Sequence, residues 1–151
     1  MVTIRLATEN DIPRLVELYG GLDISTAHGA KNRAATKQEY IHAFKQIRAA
    51  SGQQLLVAED GSEVVGTMTL IIVPNLSHGG LPWAGVENVM VDAKCRGKGI
   101  GKSLMDYGLA EAKKTGCYKI QLISDKSRTE AHKFYESLGY KGSGVGFRLY
   151  L

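Results

Sequence analysis

Glycines and basic residues alternate in one short stretch of the sequence, Arg96-Gly97-Lys98-Gly99-Ile100-Gly101-Lys102. A strand-like apolar run precedes this stretch, and apolar residues at helical spacing follow it. The N-terminus of a helix offers unpaired N–H groups and the positive end of the helix dipole, and glycines let a ligand approach the backbone closely. The stretch therefore predicts a site for a phosphate-bearing ligand, with Lys98 and Lys102 adding positive charge.

Three phosphate-binding motifs compete for this stretch, and spacing separates them. A P-loop would end in Gly101-Lys102-Ser103, which is present, but its first glycine would fall at Arg96. The P-loop alternative stays open, but only the second half of its motif is matched. A dinucleotide-binding Gly-x-Gly-x-x-Gly that begins at Gly97 would need glycine at position 102, which is Lys. The pattern Arg/Gln-x-x-Gly-x-Gly/Ala is matched at every position by residues 96–101.

Charge is distributed unevenly along the 151 residues. Residues 1–92 carry seven Lys/Arg and ten Asp/Glu, whereas residues 93–151 carry twelve and five. The basic C-terminal third favours an anionic partner. Its basic cluster has few interleaved aromatic residues and no evident recognition helix, so we do not expect nucleic acid as a partner. Length and composition suit one folded domain over residues 1–151.

Apolar runs and cysteines indicate where the protein works. The longest apolar-rich run, residues 64–73, is half as long as the ~20 residues that a membrane-spanning helix needs, and the N-terminus lacks the pattern of a secretory signal. Cys95 and Cys117 stand in no metal-ligand spacing, and the four histidines are scattered. We therefore expect a cytoplasmic protein with reduced thiols, no metal and no membrane contact.

The predicted elements follow the order β-α-α-β-β-β-α-β-α-β, which is a mixed α/β sheet. Thr8 with Asp11 and Thr36 with Glu39 are capping-box pairs that begin two N-terminal helices. Asp60-Gly61-Ser62 predicts the turn of a hairpin. The remaining strands are predicted at 83–92, 118–123 and Gly146–Leu151, and the remaining helices at 99–114 and 127–138.

The sequence resembles the GNAT superfamily of acyl-CoA-dependent N-acetyltransferases at Arg96–Gly101 and in two further segments. Val86–Asp92 is similar to the fourth strand of that fold, and Ala131–Tyr140 is similar to its second signature, A-x-x-x-Y followed by G-Phe/Tyr. The resemblance covers essentially all of the chain. It implies a mixed, mostly antiparallel sheet of six to seven strands flanked by about four helices.

Two subfamilies share shorter stretches with this chain. Residues 116–120 are similar to glucosamine-6-phosphate N-acetyltransferases, and residues 128–135 to aminoalkylphosphonate acetyltransferases. Neither similarity fixes the substrate.

The resemblance implies that acetyl-CoA is the acyl donor. Val89, Met90 and Val91 would pair with its pantetheine arm through their backbone, with the Met90 N–H facing the thioester oxygen. The pyrophosphate would lie on the loop, whose residues are Arg96, Gly97, Lys98, Gly99, Ile100, Gly101 and Lys102. Ser124 and Arg128 are added as donor-binding candidates. Many relatives have Asn in place of Arg128, so this side chain either meets a donor phosphate or lies on the surface.

Glu87 and Tyr135 are the catalytic residues that the resemblance implies. Attack of an amine on a thioester needs a base for the amine proton and a proton donor for the departing thiolate. Glu87 would be the base. Strict alternation would place it on one face with Val89 and Val91, where we expect partial burial. Tyr135 would donate to the thiolate. The alternative for Glu87 is a strand carboxylate that is ion-paired with a nearby cation, and the alternative for Tyr135 is an ordinary core tyrosine.

The acceptor is expected to enter past residues 18–33 and 74–83. These segments contain His28 and Trp83, our candidates for substrate binding, together with several basic residues and the single acid Asp23. We infer a small primary amine that carries an anionic group. The alternatives are an amine of a protein or peptide, and a non-catalytic acyl-CoA sensor. Dimers are common in the superfamily, so we also expect a homodimer, with the strand at Phe147–Leu151 as a candidate contact edge.

Overall fold

A central sheet with helices on both faces forms the described part of the chain. The computed structural model describes residues 1–20 and 35–150. The strands are β1 Val2–Leu6, β2 Gln53–Asp60, β3 Glu63–Val73, β4 Trp83–Val91 and β5 Ile120–Gln121. The helices are α1 Ile12–Tyr19, α2 Lys37–Ala49, α3 Ile100–Lys114 and α4 Thr129–Ser137. Short 3-10 turns cover Glu9–Asp11, His78–Gly80 and Ala93–Cys95.

The strands lie side by side in chain order, from β1 to β5. The first four pair antiparallel, and β5 pairs parallel with β4. This arrangement confirms the mixed, mostly antiparallel sheet and the four accompanying helices. The expected number of six to seven strands is wrong for the described residues, which form five.

The C-terminal segment accounts for most of that difference. Residues 146–150 form no ladder and are exposed, so the strand predicted at Gly146–Leu151 is wrong for its described part; Leu151 lies outside the described residues. The strand predicted over 118–123 shortens to Ile120–Gln121. Alternating apolar residues fit a pleated strand, but alternation does not supply a neighbouring strand with which to pair.

Apolar side chains fill both faces of the sheet. On one face, α3 contributes Ile100, Leu104 and Met105 to a cluster with residues of β2, β3 and β4. On the other face, α1 and α2 contribute Leu15 and Phe44 to a second cluster. Residues 64–70 of β3 are buried throughout, because helices cover both of their faces. β3 is therefore packed on both faces, and β4 pairs along it.

Local signals begin the helices where the sequence predicts. The capping boxes at Thr8/Asp11 and Thr36/Glu39 are both formed, and the hairpin pairs Asp60 with Glu63. These predictions are confirmed. Gly99 caps α3 in the left-handed conformation at φ 80°, which glycine adopts without steric cost. The glycine-rich loop therefore leads directly into the first turn of α3.

Candidate active site

β4 and β5 pair at one end and separate at the other. Only Ala84 with Ile120 and Gly85 with Gln121 are partners, and the Ala84 N–H donates to the Lys119 carbonyl over 2.9 Å. Beyond this point a cleft of about 110 Å³ opens between the strands. The cleft lies at the C-terminal ends of the two parallel strands. On this side, no strand of the described chain lies beside β4, which pairs with β3 on its other side.

A β-bulge at Asn88 divides β4 into two halves. The β3–β4 register shifts between Thr67 and Thr69, and Asn88 has φ 54°, a left-handed conformation that asparagine tolerates. Before the bulge, Val86 packs in the α3 cluster; after it, Val89 and Val91 pack there, while Met90 packs in the α1–α2 cluster. Strict alternation is therefore broken, and Glu87 does not share a face with Val89 and Val91.

The bulge also decides which backbone groups point into the opening. The Asp92 N–H donates to the Val65 carbonyl of β3 over 2.9 Å, and Met90 lies opposite Thr67. Since alternate residues of a strand direct their N–H groups to the same side, the Met90 N–H faces β3. The N–H groups of Val89 and Val91 face away from β3. The expectation that the Met90 N–H faces the opening is therefore wrong.

The cleft brings together four of the side chains predicted from the sequence. Its lining includes Glu87, Ser124, Arg128 and Tyr135, together with Val89, which was also predicted as a donor-binding residue. Glu87 is exposed, so its expected partial burial is wrong; the bulge beside it holds the carboxylate at the surface of the cleft. The other lining residues, which the sequence did not indicate, are Val86, Asn88, Leu122 and Ile123.

Tyr135 belongs both to the cleft and to the packed side of α4. Its ring lies 5.2 Å from that of Phe134 and 6.1 Å from that of Tyr140. Burial raises the pKa of the Tyr135 phenol; the positive charge of Arg128 lowers it and the negative charge of Glu87 raises it, with burial dominant. The phenol is therefore protonated at neutral pH and faces the cleft with a proton to donate.

The glycine loop presents its backbone to solvent. Gly97 and Gly99 have φ of 77° and 80°, and a Cβ at either position would meet no atom of the described residues within 4 Å. Glycine is needed at both for the backbone conformation and not for packing. Gly101 differs: a Cβ there would lie 3.2 Å from the Phe134 ring, so this glycine lets α3 approach α4.

The side chains of the loop are not equivalent. Arg96 and Lys98 are exposed, and the Arg96 Nε donates to the Val91 carbonyl over 3.4 Å. Lys102 is ion-paired with Asp106 one turn along α3, with 2.5 Å between Nζ and Oδ2. Ile100 is buried in the α3 cluster, so only its backbone is available to a ligand. Positive charge near the loop therefore comes mainly from Arg96 and Lys98.

The two predicted acceptor residues have different outcomes. Trp83 begins β4 and does not line the cleft, but its ring lies 3.3 Å from the Cβ position of Gly85, on the face that also carries Glu87. His28 lies outside the described residues.

The sequence contains one indication of the bulge that our predictions did not use, because Asn, at position 88, is a residue type that adopts positive φ.

The described residues contain neither a metal-binding cluster nor a membrane-spanning helix. Residues 1–20 and 35–150 contain no group of three or more His, Cys, Asp or Glu side chains arranged to hold a metal ion. In the same ranges, no helix has both the length and the apolar character to cross a membrane.

Comparison with known proteins identifies the family. The sequence profile described as the acetyltransferase (GNAT) family matches residues 23–140, which is most of the chain. The protein belongs to this family. It is therefore a GNAT acetyltransferase with the α/β fold of that family, and both expectations from the sequence are confirmed.

Individual GNAT relatives cover the chain to different extents. The glucosamine 6-phosphate N-acetyltransferase of Trypanosoma brucei brucei is 28% identical over 146 residues, which are 97% of this chain and 93% of that protein. The aminoalkylphosphonate N-acetyltransferase of Salmonella typhimurium is 34% identical over 86 residues, 56% of this chain and 54% of that protein. A crystal structure described as a transcriptional regulator from Bacillus halodurans C-125 is 35% identical, with a TM-score of 0.88 and 100% of both chains covered.

The raised pKa of Tyr135 can be measured directly. We expect Tyr135→Phe to remove a phenol that ionises above pH 10, the ordinary tyrosine value, because ionisation would place a charge in a half-buried site. The measurement is the ultraviolet absorbance of tyrosinate in wild-type and variant protein as pH rises, with circular dichroism showing that both stay folded. A wild-type-minus-variant curve with its midpoint at or below pH 10 would contradict the assignment.

Proposed function

We propose that this protein transfers the acetyl group of acetyl-CoA directly to the primary amine of a small, anionic metabolite, with both substrates bound together. The cleft between β4 and β5 is the observation that carries the proposal, because a carboxylate and a protonated phenol line it beside an open strand edge. The family assignment supports acetyl-CoA as donor. The proposed chemistry uses groups of the chain alone and needs no metal.

The open edge of β4 suits the pantetheine arm. An extended ligand can bind there as an added strand, accepting hydrogen bonds from the N–H groups of Val89 and Val91. Fixed donors stabilise an oxygen on which negative charge develops, so the Val89 N–H, directly after the bulge, is our candidate for polarising the thioester carbonyl. Met90 would contribute by packing on the α1–α2 side, which holds this part of β4 in place.

The glycine loop suits the pyrophosphate. Its N–H groups precede α3, its glycines leave the backbone accessible, and Arg96 and Lys98 supply positive charge. The Ser124 side chain is a reason to place the rest of the donor in the cleft. Its Oγ is buried and has no hydrogen-bond partner among the described residues. A bound donor would give that hydroxyl a partner. Arg128, at the same cleft, would face the donor with its charge.

In the proposed reaction, the amine nitrogen attacks the thioester carbonyl carbon. The new N–C bond forms, and the C–S bond then breaks. Glu87 accepts the proton that the amine loses, directly or through a water molecule, and its exposure keeps it accessible to the acceptor side. Tyr135 donates its proton or a hydrogen bond to the departing thiolate of CoA. The products are an N-acetyl amide and free CoA.

Substitution of the two catalytic candidates tests these roles. We expect Glu87→Gln to lower kcat about a hundredfold or more and to change the pH dependence of the rate, since general base catalysis contributes about 10²–10⁴-fold. Tyr135→Phe should lower kcat while the Kd of CoA stays unchanged. Steady-state kinetics and calorimetry measure both, with Glu130→Gln as the matched control, because Glu130 is exposed on α4 and outside the cleft. Wild-type kinetics in both variants would exclude these roles.

The acceptor is proposed to bind on the face of β4 that carries Glu87. Trp83, Gly85 and Glu87 share this face, and the absence of a side chain at Gly85 lets the Trp83 ring lie along the strand. The Lys119 ammonium is 5.8 Å from the centre of the Trp83 ring. An amine near Glu87 and an anionic group near Lys119 would fit this arrangement. The names of the relatives, which act on a sugar phosphate and on phosphonates, agree with it.

A panel of amines tests the acceptor class. We expect thiol release from acetyl-CoA with glucosamine 6-phosphate or an aminoalkylphosphonate, and at least about tenfold lower kcat/KM with glucosamine, because the Lys119 charge acts only on the anionic group. Lys119→Ala should reduce that ratio, whereas Lys113→Ala, an exposed lysine at the end of α3, should not. Acetylation of cationic polyamines alone would contradict the anionic acceptor. Transfer only to peptides would favour a protein substrate, and CoA binding without any transfer would favour a sensor.

A homodimer in the cytoplasm completes the proposal. Val145, Phe147 and Leu149 are 70%, 92% and 87% exposed, and they alternate as strand residues do. The C-terminal tail, residues 141–150, approaches the rest of the described chain at two places. Gly146 lies beside Ile123, and the Arg148 guanidinium is 3.6 Å from the Asp125 carboxylate. A second copy would cover the apolar side chains.

The proposed location is the cytoplasm. Cys95 and Cys117 are free thiols, which suits a reducing compartment.

Sedimentation equilibrium tests the dimer. We expect the wild-type protein to have twice the mass of the chain and Phe147→Asp to dissociate it, because the substitution places a charge in an apolar contact. Lys141→Asp, an exposed position in the same tail, is the control. A wild-type mass equal to that of one chain across the micromolar range would exclude the dimer.

A further inference from the structure

A polar cluster joins α1 to the start of the glycine loop. The Arg14 side chain donates from Nε to the Val64 carbonyl over 3.0 Å, from Nη1 to Glu17 over 2.9 Å and from Nη2 to the Asp92 carboxylate. Asp92 directly follows β4, and its side chain is only 17% exposed. The Arg14 guanidinium therefore links α1 to Val64, the first buried residue of β3, and to Asp92, the residue directly before the turn that leads into the loop.

Asp92 holds the first turn of the loop with its remaining groups. Its Oδ1 accepts from the Lys94 N–H over 2.8 Å, and its carbonyl accepts from the Cys95 N–H over 2.9 Å. The Lys94 N–H and the Arg14 guanidinium lower the pKa of Asp92, so the carboxylate is ionised at neutral pH and accepts both bonds. The 3-10 turn Ala93–Cys95 is thus defined by bonds to a single residue.

The loop beyond this turn has few other anchors. Gly97 and Gly99 make no packing contact that a Cβ would meet, and Arg96 and Lys98 are exposed. The next fixed point is Ile100, which is 2% exposed in the α3 cluster. Cys95, at the end of the 3-10 turn, packs against the α3 cluster, but residues 96–99 have positive-φ glycines and exposed side chains. The path of these residues therefore depends on how the turn held by Asp92 and the buried Ile100 fix its two ends.

We propose that Arg14 and Asp92 are positioning residues for donor binding: together they fix residues 93–99 in the conformation that receives the pyrophosphate of CoA. This inference rests on the proposed function. Neither side chain needs to touch the donor. The Arg14 fork cannot be replaced by a lysine, because one ammonium does not reproduce separate, fixed N–H groups aimed at the Val64 carbonyl and at Asp92.

Titration calorimetry with CoA tests the inference. We expect Asp92→Ala and Arg14→Lys to raise the Kd of CoA about tenfold, because a disordered loop must be ordered when the ligand binds. The KM of acetyl-CoA should rise in parallel, while kcat at saturating donor and the KM of the amine stay unchanged. Glu17→Gln is the matched control, since it removes the charge of the second carboxylate that is hydrogen-bonded to Arg14. Asp92 and the ion pair of Arg14 with Glu63, at 3.8 Å, stay in place, so the Kd of this variant should equal the wild-type value.

The Arg14→Ala/Asp92→Ala double variant completes the test. Its Kd should be no higher than that of Asp92→Ala, because both changes remove the same link. Arg14→Lys keeps the charge and carries the test if Asp92→Ala does not fold. Wild-type CoA affinity in folded Asp92→Ala or Arg14→Lys, even with a lower melting temperature, would overturn this inference and leave the proposed function standing. No CoA binding by the wild-type protein would overturn both.

Discussion

The two-residue pairing of β4 with β5 constrains where a ligand can bind. β4 is paired along most of its length with β3 on one side, but on the other side the described residues pair with it only at Ala84 and Gly85. From Val86 to Val91, no strand of the described chain lies along this second side. Unpaired strand edges bind extended ligands readily, so the same separation that shortens β5 creates the strongest candidate for a binding surface in the described chain.

In the proposed function, the bulge at Asn88 lets the two sides of this strand face different substrates. Without it, strict alternation would place Val89 and Val91 on the same face as Glu87. With it, Glu87 lies on the face of Trp83 and Gly85, while Val89 and Val91 pack towards α3 and direct their N–H groups to the open edge. Acceptor and donor can then approach one short segment of backbone from different directions. Burial on both sides of β3 keeps that segment in place.

Much of this arrangement could be predicted from the sequence, because it depends on local signals. Thr8 and Thr36 begin helices through bonds that lie within four residues, and the glycines at 97 and 99 mark a loop whose backbone conformation few other residues adopt. The loop motif predicted a loop that leads into a helix, and the second signature placed Tyr135 on a later helix; both agree with α3 and α4.

The remaining features depend on contacts that no local pattern reports. A bulge at Asn88 changes the face of every residue after it, so alternation gave the wrong environment for Glu87 and the wrong direction for the Met90 N–H. The C-terminal tail has strand-like alternation, yet residues 146–150 form no strand ladder with the rest of the described chain. The hydrogen bond from Arg14 to Asp92 joins residues that are distant in sequence, and neither residue type by itself predicts this contact.

Amide hydrogen exchange with and without acetyl-CoA, resolved by residue with nuclear magnetic resonance, tests the central claim most directly. If the open edge of β4 receives the donor, acetyl-CoA will slow the exchange of the Val89 and Val91 amides, whereas the Met90 amide, which faces β3, will already exchange slowly without it. Unchanged exchange at Val89 and Val91 in the presence of saturating acetyl-CoA would contradict the account.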